Sequence, residues 1–230
     1  MKTLLVSAVS FGLLGASAAF GANVTGKVNF GGAAPKPTSI KMNADPVCAK
    51  ESAGKTVLKE DVVVNANKTL ANVFVYVKEG VKGNVPPAPQ EAVTFDQKGC
   101  VYHPHVIGVR VGQPLKILNS DPTLHNVNAL AKANAKFNAG MPTKGQVIEK
   151  KFTKPETMVK VKCDVHGWMS AYIGVVDHPY FAVTDNTGAF TLKDLPAGEY
   201  TVEAWHEKLG TKTAKVTVTD AGAQPVDFSF

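Results

Sequence analysis

The chain has 230 residues, 44% hydrophobic and 19% charged, with three cysteines, twenty glycines, fourteen prolines and a formal net charge of +6. Such a composition argues against a coiled coil, a collagen-like repeat, a multi-span membrane protein or a disordered tail. Three cysteines are too few for a miniprotein built on disulfides, and an odd number leaves at least one thiol to explain.

Met1 to about Ala22 reads as a secretory leader. Lys2 supplies the positive start, Leu4 to Leu14 the apolar run, and Ala16-Ser17-Ala18 a small-x-small site, with cleavage expected near residues 18–22. The run is too short for a permanent span, and no later stretch is apolar for long enough, so no membrane span is expected. The short leader suits a bacterium and places the mature protein in the periplasm or outside the cell, where disulfides are permitted. Its remaining basic residues are scattered among acidic ones, without a basic cluster interleaved with aromatics, so nucleic acid is not an expected partner.

After the leader, short valine-rich runs dominate: Val24 to Phe30, Val62 to Val64, Val73 to Val77, Val106 to Val111, Leu115 to Leu118, Met158 to Val161, Ile173 to Val176, Ala189 to Leu192, Tyr200 to Ala204 and Ala214 to Val218. Many alternate apolar with polar residues, and turn signals such as Asn119-Ser120-Asp121-Pro122 and Asp185-Asn186-Thr187-Gly188 separate them. The expected class is all-β, with a Greek-key barrel or sandwich and a second small Ig-like sandwich. The one helix candidate is the Ala-rich stretch Leu130 to Phe137, and the proline-rich stretch Val81 to Gln90 reads as an extended connector. The segment after about Tyr180 holds too few strands to close a core alone. It must borrow strands, and Val24 to Phe30 and Ala71 to Val77 are the obvious lenders, which makes the second sandwich discontinuous. The expected layout is a leader over 1–22, an N-terminal β segment over 23–90 that lends strands, a first β domain over 91–178 and a second β segment over 179–230.

The run Cys163-Asp164-Val165-His166-Gly167-Trp168-Met169 joins two predicted strands. At C-x2-H-x2-M spacing, a thiolate, an imidazole and a thioether on one loop can converge on a single ion, and this soft set suits copper in both oxidation states. A fourth ligand must come from elsewhere, and His125 stands after a turn upstream. Two histidines, one cysteine and a weak axial methionine make up a trigonal blue-copper site. The edge of His166, ringed by Gly167, Trp168 and Met141-Pro142, is expected to be exposed as the electron's exit.

From about Tyr102 to Val176 the sequence resembles the cupredoxins, and within them the amicyanin-like branch, in the tight C-x2-H-x2-M loop and in His125-Asn126-Val127 with Asn119 six positions before the histidine. The resemblance implies that His125, Cys163, His166 and Met169 ligate one type 1 copper ion. It also implies that Asn119 and Asn126 tie the two loops together and bond near the sulfur, and that the partners are a dehydrogenase and a c-type cytochrome. Gly167 stands where that branch usually has proline. Thr184 to Leu192 followed by Leu195 to Val202 resembles the carboxypeptidase regulatory-like, or transthyretin-like, module, which implies a small sandwich without chemistry. The combination is similar to exported bacterial proteins described as plastocyanin-like or linked to methylamine utilisation.

Cys48 and Cys100 are expected to form a disulfide pinning the N-terminal segment to the strand before Val106; further metal ligands and separate thiols are the alternatives. His103 and His105, flanking Pro104, are a candidate auxiliary metal pair, with packed or solvated rings as the simpler reading. His178 and His206 read as packing residues at the junction. Trp168 either packs over the copper or offers a docking surface. The expected function is one-electron transfer between periplasmic redox proteins, not catalysis. A copper carrier or store, and an adhesion or binding sandwich without metal, are the alternatives.

Overall fold

A computed structural model describes residues 21–230, and the leader's apolar run with its Ala16-Ser17-Ala18 site lies outside the described residues. In chain order the elements are β1 (Ala22–Asn29), α1 (Pro46–Glu51), β2 (Phe74–Glu79), β3 (Val93–Lys98), β4 (Val101–His103), β5 (Val106–Arg110), β6 (Leu115–Asn119), β7 (His125–Ala129), β8 (Phe137–Met141) and β9 (Val147–Lys150). They continue with β10 (Glu156–Lys162), β11 (Ser170–Val176), β12 (Phe181–Val183), β13 (Ala189–Leu195), β14 (Gly198–His206), β15 (Gly210–Thr219), β16 (Gly222–Ala223) and β17 (Phe228–Ser229). The fold is all-β, in two sandwiches.

The first sandwich packs the sheet β4-β3-β6-β9 against the sheet β5-β11-β10-β7-β8. Alternation decides which residues enter: Leu115 and Ile117 of β6 and Val159 and Val161 of β10 turn inward, with charged neighbours outward. With Phe95, Val127 and Ile173 they form one buried core that also contains Cys163, Met141 and Met169. Burying each large aliphatic side chain contributes about 1.5–3 kcal/mol, so the loop from Cys163 to Met169 rests on a well-packed base.

The second sandwich is discontinuous. Its three-stranded sheet has the order β13-β1-β17 and its five-stranded sheet β12-β2-β14-β15-β16. β1 runs antiparallel to β13, and β2 lies between β12 and β14. Val24, Val28, Val75, Val77, Leu192, Val202 and Val216 fill its core. β2 is buried on both faces, because Phe74 and Tyr76 turn away from that core to meet Val106 and Val176 of the first sandwich. The approach is close enough to demand glycine. Gly108 and Gly174 are paired across β5 and β11, and a Cβ on Gly174 would stand 2.5 Å from the Phe74 ring.

Two expectations need correction. Leu130 to Phe137 is not a helix: residues 130–136 form a loop and Phe137 opens β8. The backbone N–H groups of Lys132, Ala133 and Asn134 donate to the Glu156 carboxylate, and β8 pairs along the whole of β7. An uncapped alanine run cannot outweigh those tertiary bonds. Val62 to Val64 is no strand and makes only an isolated bridge from Val64 to Leu70. The described helix, α1, starts instead at Pro46 behind the N-cap Asp45. No described helix is long and apolar enough to cross a membrane.

Candidate metal centre

β7 opens with His125, and the loop from β10 to β11 carries Cys163 and His166. The loop closes tightly: Met169 N–H donates to the His166 carbonyl at 2.9 Å and Cys163 N–H to the Met169 carbonyl at 3.2 Å. Cys163, His166 and Met169 are thereby held in one turn, and Met169 is buried in the core below it. Gly167 is open to solvent, with no heavy atom within 4 Å of a Cβ added there.

Ligand atoms of His125, Cys163 and His166 lie within 4.8 Å of one another. The two Nδ1 atoms are 2.9 Å apart, and the Cys163 sulfur is 3.8 Å from Nδ1 of His166. Metal bonds of about 2.0 Å to imidazole and 2.3 Å to thiolate produce separations of this size. The far nitrogens are committed elsewhere: Nε2 of His125 to Asp121 at 2.9 Å and Nε2 of His166 to Asp45 at 3.1 Å. Ionised carboxylates only accept, so each Nε2 carries a proton. Two neutral rings so arranged turn two bare Nδ1 lone pairs on each other, and such a contact needs a cation or a shared proton between them.

Without a metal, the electrostatics supply the shared proton. Burial disfavours a charged His125, but the Asp121 bond and Cys163 outweigh it and raise the ring to about 9. Burial pushes the Cys163 thiol up, while bonds from His125 and from neighbouring backbone amides more than offset it and hold the thiol below its ordinary range. The Asp121 carboxylate, pushed up by burial, is held low by His125 and by the amides of Cys100 and Gly99. A positive site therefore faces an easily formed thiolate.

Asn126 joins the segment that opens with His125 to the Cys163 loop. Its Oδ1 accepts the Asp164 N–H at 2.7 Å and the Cys163 thiol at 3.3 Å, and its Nδ2 donates to Asp164 Oδ2. Asn119 acts inside one turn instead, with Nδ2 donating to the Thr123 and Met141 carbonyls and Oδ1 accepting the Asp121 N–H. It makes no bond to the sulfur.

The expected exposed edge of His166 is a further correction, because the ring is 2% exposed. The segment from Thr38 to Lys59 folds over it, closed on itself by bonds between Ile40 and Val57 and between Lys59 and Thr38. Cys48 and Cys100 form a disulfide with Cα atoms 5.7 Å apart. Around it pack Met42, Ile40, Val57 and Trp168. Trp168 lies with its ring 4.9 Å from that of His166, and its Nε1–H donates to the Cys100 carbonyl. It packs over the site.

His103 is exposed, and His105 is paired with Glu207; neither shares a cluster of metal-ligating groups with the other among the described residues. His178 and His206 are buried at backbone amides and carbonyls. Sequence reasoning missed Asp45 and Asp121. Asp121 had a signal, four residues before His125 in the quoted turn. Asp45 had none, being 121 residues from its partner.

Fold and site together define a two-sandwich β protein with a buried His/Cys/His cluster at the end of one sandwich. Residues 170–230 match the carboxypeptidase regulatory-like domain. No curated protein matches the sequence. Among solved structures, the chain is similar to a copper-containing nitrite reductase from Thermus scotoductus SA-01 at 20% identity and a TM-score of 0.35, over 42% of this chain and 25% of that one. The chain thus spans about a quarter of the reductase's length. It is similar to an oxidised proline-to-glycine variant of amicyanin at 23% identity and a TM-score of 0.34, over 44% of this chain and 97% of that one. A purple cupredoxin from Nitrosopumilus maritimus shows 19% identity and a TM-score of 0.31, over 36% of this chain and 97% of that one. Each of these similarities covers less than half of the chain.

Proposed function

We propose that the chain binds one copper ion, which His125, Cys163 and His166 would hold together with Met169, and carries single electrons between redox proteins of the periplasm. The carrying observation is the 2.9 Å approach of two Nδ1 atoms beside the Cys163 sulfur, with both Nε2 atoms bonded to carboxylates. The donor set fits copper, since two imidazoles and a thiolate suit both its oxidation states. Bound copper would supply a one-electron couple.

The protein's own part is to hold the donors still. Asn126 locks the Cys163 loop to β7, Asp121 orients His125, and the sandwich core below leaves little room for rearrangement when charge changes. The protein is not an enzyme in this reading, and its partners are a dehydrogenase and a c-type cytochrome.

Adding Cu(II) to the purified protein is expected to produce an intense visible thiolate-to-copper band and a matching EPR signal at one copper per chain. Cys163→Ala is expected to abolish both and keep the far-UV spectrum. A colourless protein carrying a full copper complement sinks the reading. Slow electron self-exchange with ready transfer of Cu(I) to a chelator would turn it into a copper carrier.

A further inference from the structure

We propose that Asp45 is a positioning residue for His166, holding the ring from its far side so that Nδ1 stays turned toward Cys163. The proposal rests on the copper reading for its functional consequence, though not for its geometry.

Asp45 has both oxygens in use. Oδ1 accepts the N–H of Val47 at 2.7 Å and of Cys48 at 2.9 Å, which caps α1. Oδ2 accepts the Thr123 hydroxyl at 3.1 Å and the Nε2–H of His166 at 3.1 Å. One carboxylate thus joins the covering segment, the turn before His125 and the loop ring. A carboxylate can only accept, so it fixes the proton on Nε2 and leaves Nδ1 as the donor nitrogen. The cap cannot drift, because Cys48, three residues on, is covalently bound to Cys100. Trp168 closes the ring's remaining side, bonded to the same Cys100.

For His166 to leave the Cys163 side, its ring must break the Asp45 bond inside a covering that leaves it 2% exposed. Such outer partners of a metal-bound histidine typically account for about 10–100-fold in metal affinity. The anionic partner also makes the ring a stronger donor, which favours Cu(II) over Cu(I).

The test compares Asp45→Asn with wild type and with Ser52→Ala. Asparagine keeps one acceptor oxygen, enough for the α1 amides or for His166 but not for both. Ser52→Ala loosens the same helix at its other end, where the hydroxyl donates to the Cys48 carbonyl. In metal-free protein, NMR of ¹⁵N-labelled histidine is expected to show a slowly exchanging His166 Nε2–H in wild type and Ser52→Ala, lost in Asp45→Asn. In chelator competition, Asp45→Asn is expected to lose about 10–100-fold in Cu(II) affinity and less in Cu(I). Each tenfold of that difference raises the reduction potential by about 59 mV.

An unchanged Nε2–H signal, affinity and potential in Asp45→Asn overturns the proposal. So does an equal loss in Ser52→Ala, which would mean general loosening of the helix. If wild type binds no copper, the copper reading fails by itself, and the NMR comparison still decides whether Asp45 holds the ring.

Discussion

The sulfur of Cys48 lies 3.7 Å from Nε2 of His166, so a disulfide lines the side of the ring turned away from Cys163. Covalent closure of the N-terminal segment and burial of a candidate ligand are therefore one structural fact. The link spans 52 residues, and removing it is expected to cost about 2–4 kcal/mol through the entropy released in the unfolded chain. Cys48→Ser with Cys100→Ser in urea denaturation measures this. The double variant is preferable to chemical reduction, because free thiols at 48 and 100 would sit beside Asp45 and His166 and beside Asp121 and His125 and form new clusters able to take up an added metal. Hydrogen exchange in segment 38–59 is expected to rise in the same variant, and unchanged exchange would mean that packing alone holds the cover.

Asp121 supports the other ring. Its carboxylate accepts the N–H of Gly99 at 2.7 Å and of Cys100 at 2.8 Å together with Nε2 of His125. Asp121→Asn leaves at least one of these buried donors without an acceptor, at an expected cost of about 1–3 kcal/mol. Copper affinity is expected to fall with it, and thermal denaturation with and without copper separates the two effects.

Contact between the sandwiches depends on the absence of a side chain at Gly174. With a Cβ there 2.5 Å from the Phe74 ring, Gly174→Ala is expected to destabilise by about 1–3 kcal/mol through overpacking. Adding Phe74→Leu should recover part of that loss. A double-mutant cycle with no coupling would show that the two positions do not meet.

His178 and His206 predict a dependence on acid. Burial pushes both rings below the ordinary histidine value, since each charged form would lose its hydration. The Nδ1 atoms serve as acceptors, for Tyr180 N–H in one ring and for Lys208 and Leu209 N–H in the other. Below about pH 6.5 the unfolded chain takes up a proton that these two folded rings refuse, so their contribution is full above that pH and falls as pH drops, whereas His125, raised to about 9, loses its own contribution as pH climbs from 6.5 through 9. Melting temperatures of metal-free protein between pH 5 and 6, below the range in which His125 titrates in the unfolded chain, should show the slope, and His178→Gln should flatten it. A wild-type slope of zero would refute the assignment.

The all-β class and the loop Cys163 to Met169 were legible because both are local. Strand alternation and turn residues sit within a few positions of each other, and the short C-x2-H spacing keeps Cys163 and His166 on one turn. The helix expected at Leu130 to Phe137 failed for the opposite reason: its amides were claimed by Glu156, more than twenty residues away. The six-residue α1 carries too little periodic signal to be read, and its N-cap Asp45 shows its second role only in space.

By itself the sequence determined the short-strand architecture, the soft donors and the odd cysteine. Of the three cysteines, two are joined to each other, and Cys163 stays unpaired among imidazoles. Only the tertiary structure decided that His166 is covered, that both rings are held by carboxylates, and that the cover is tied down at Cys100. Chain neighbours set conformation and spacing, but burial and hydrogen bonding belong to whatever the fold brings alongside. Asp45 and His166 are made neighbours by a disulfide and a closed sandwich, neither of which a local pattern contains.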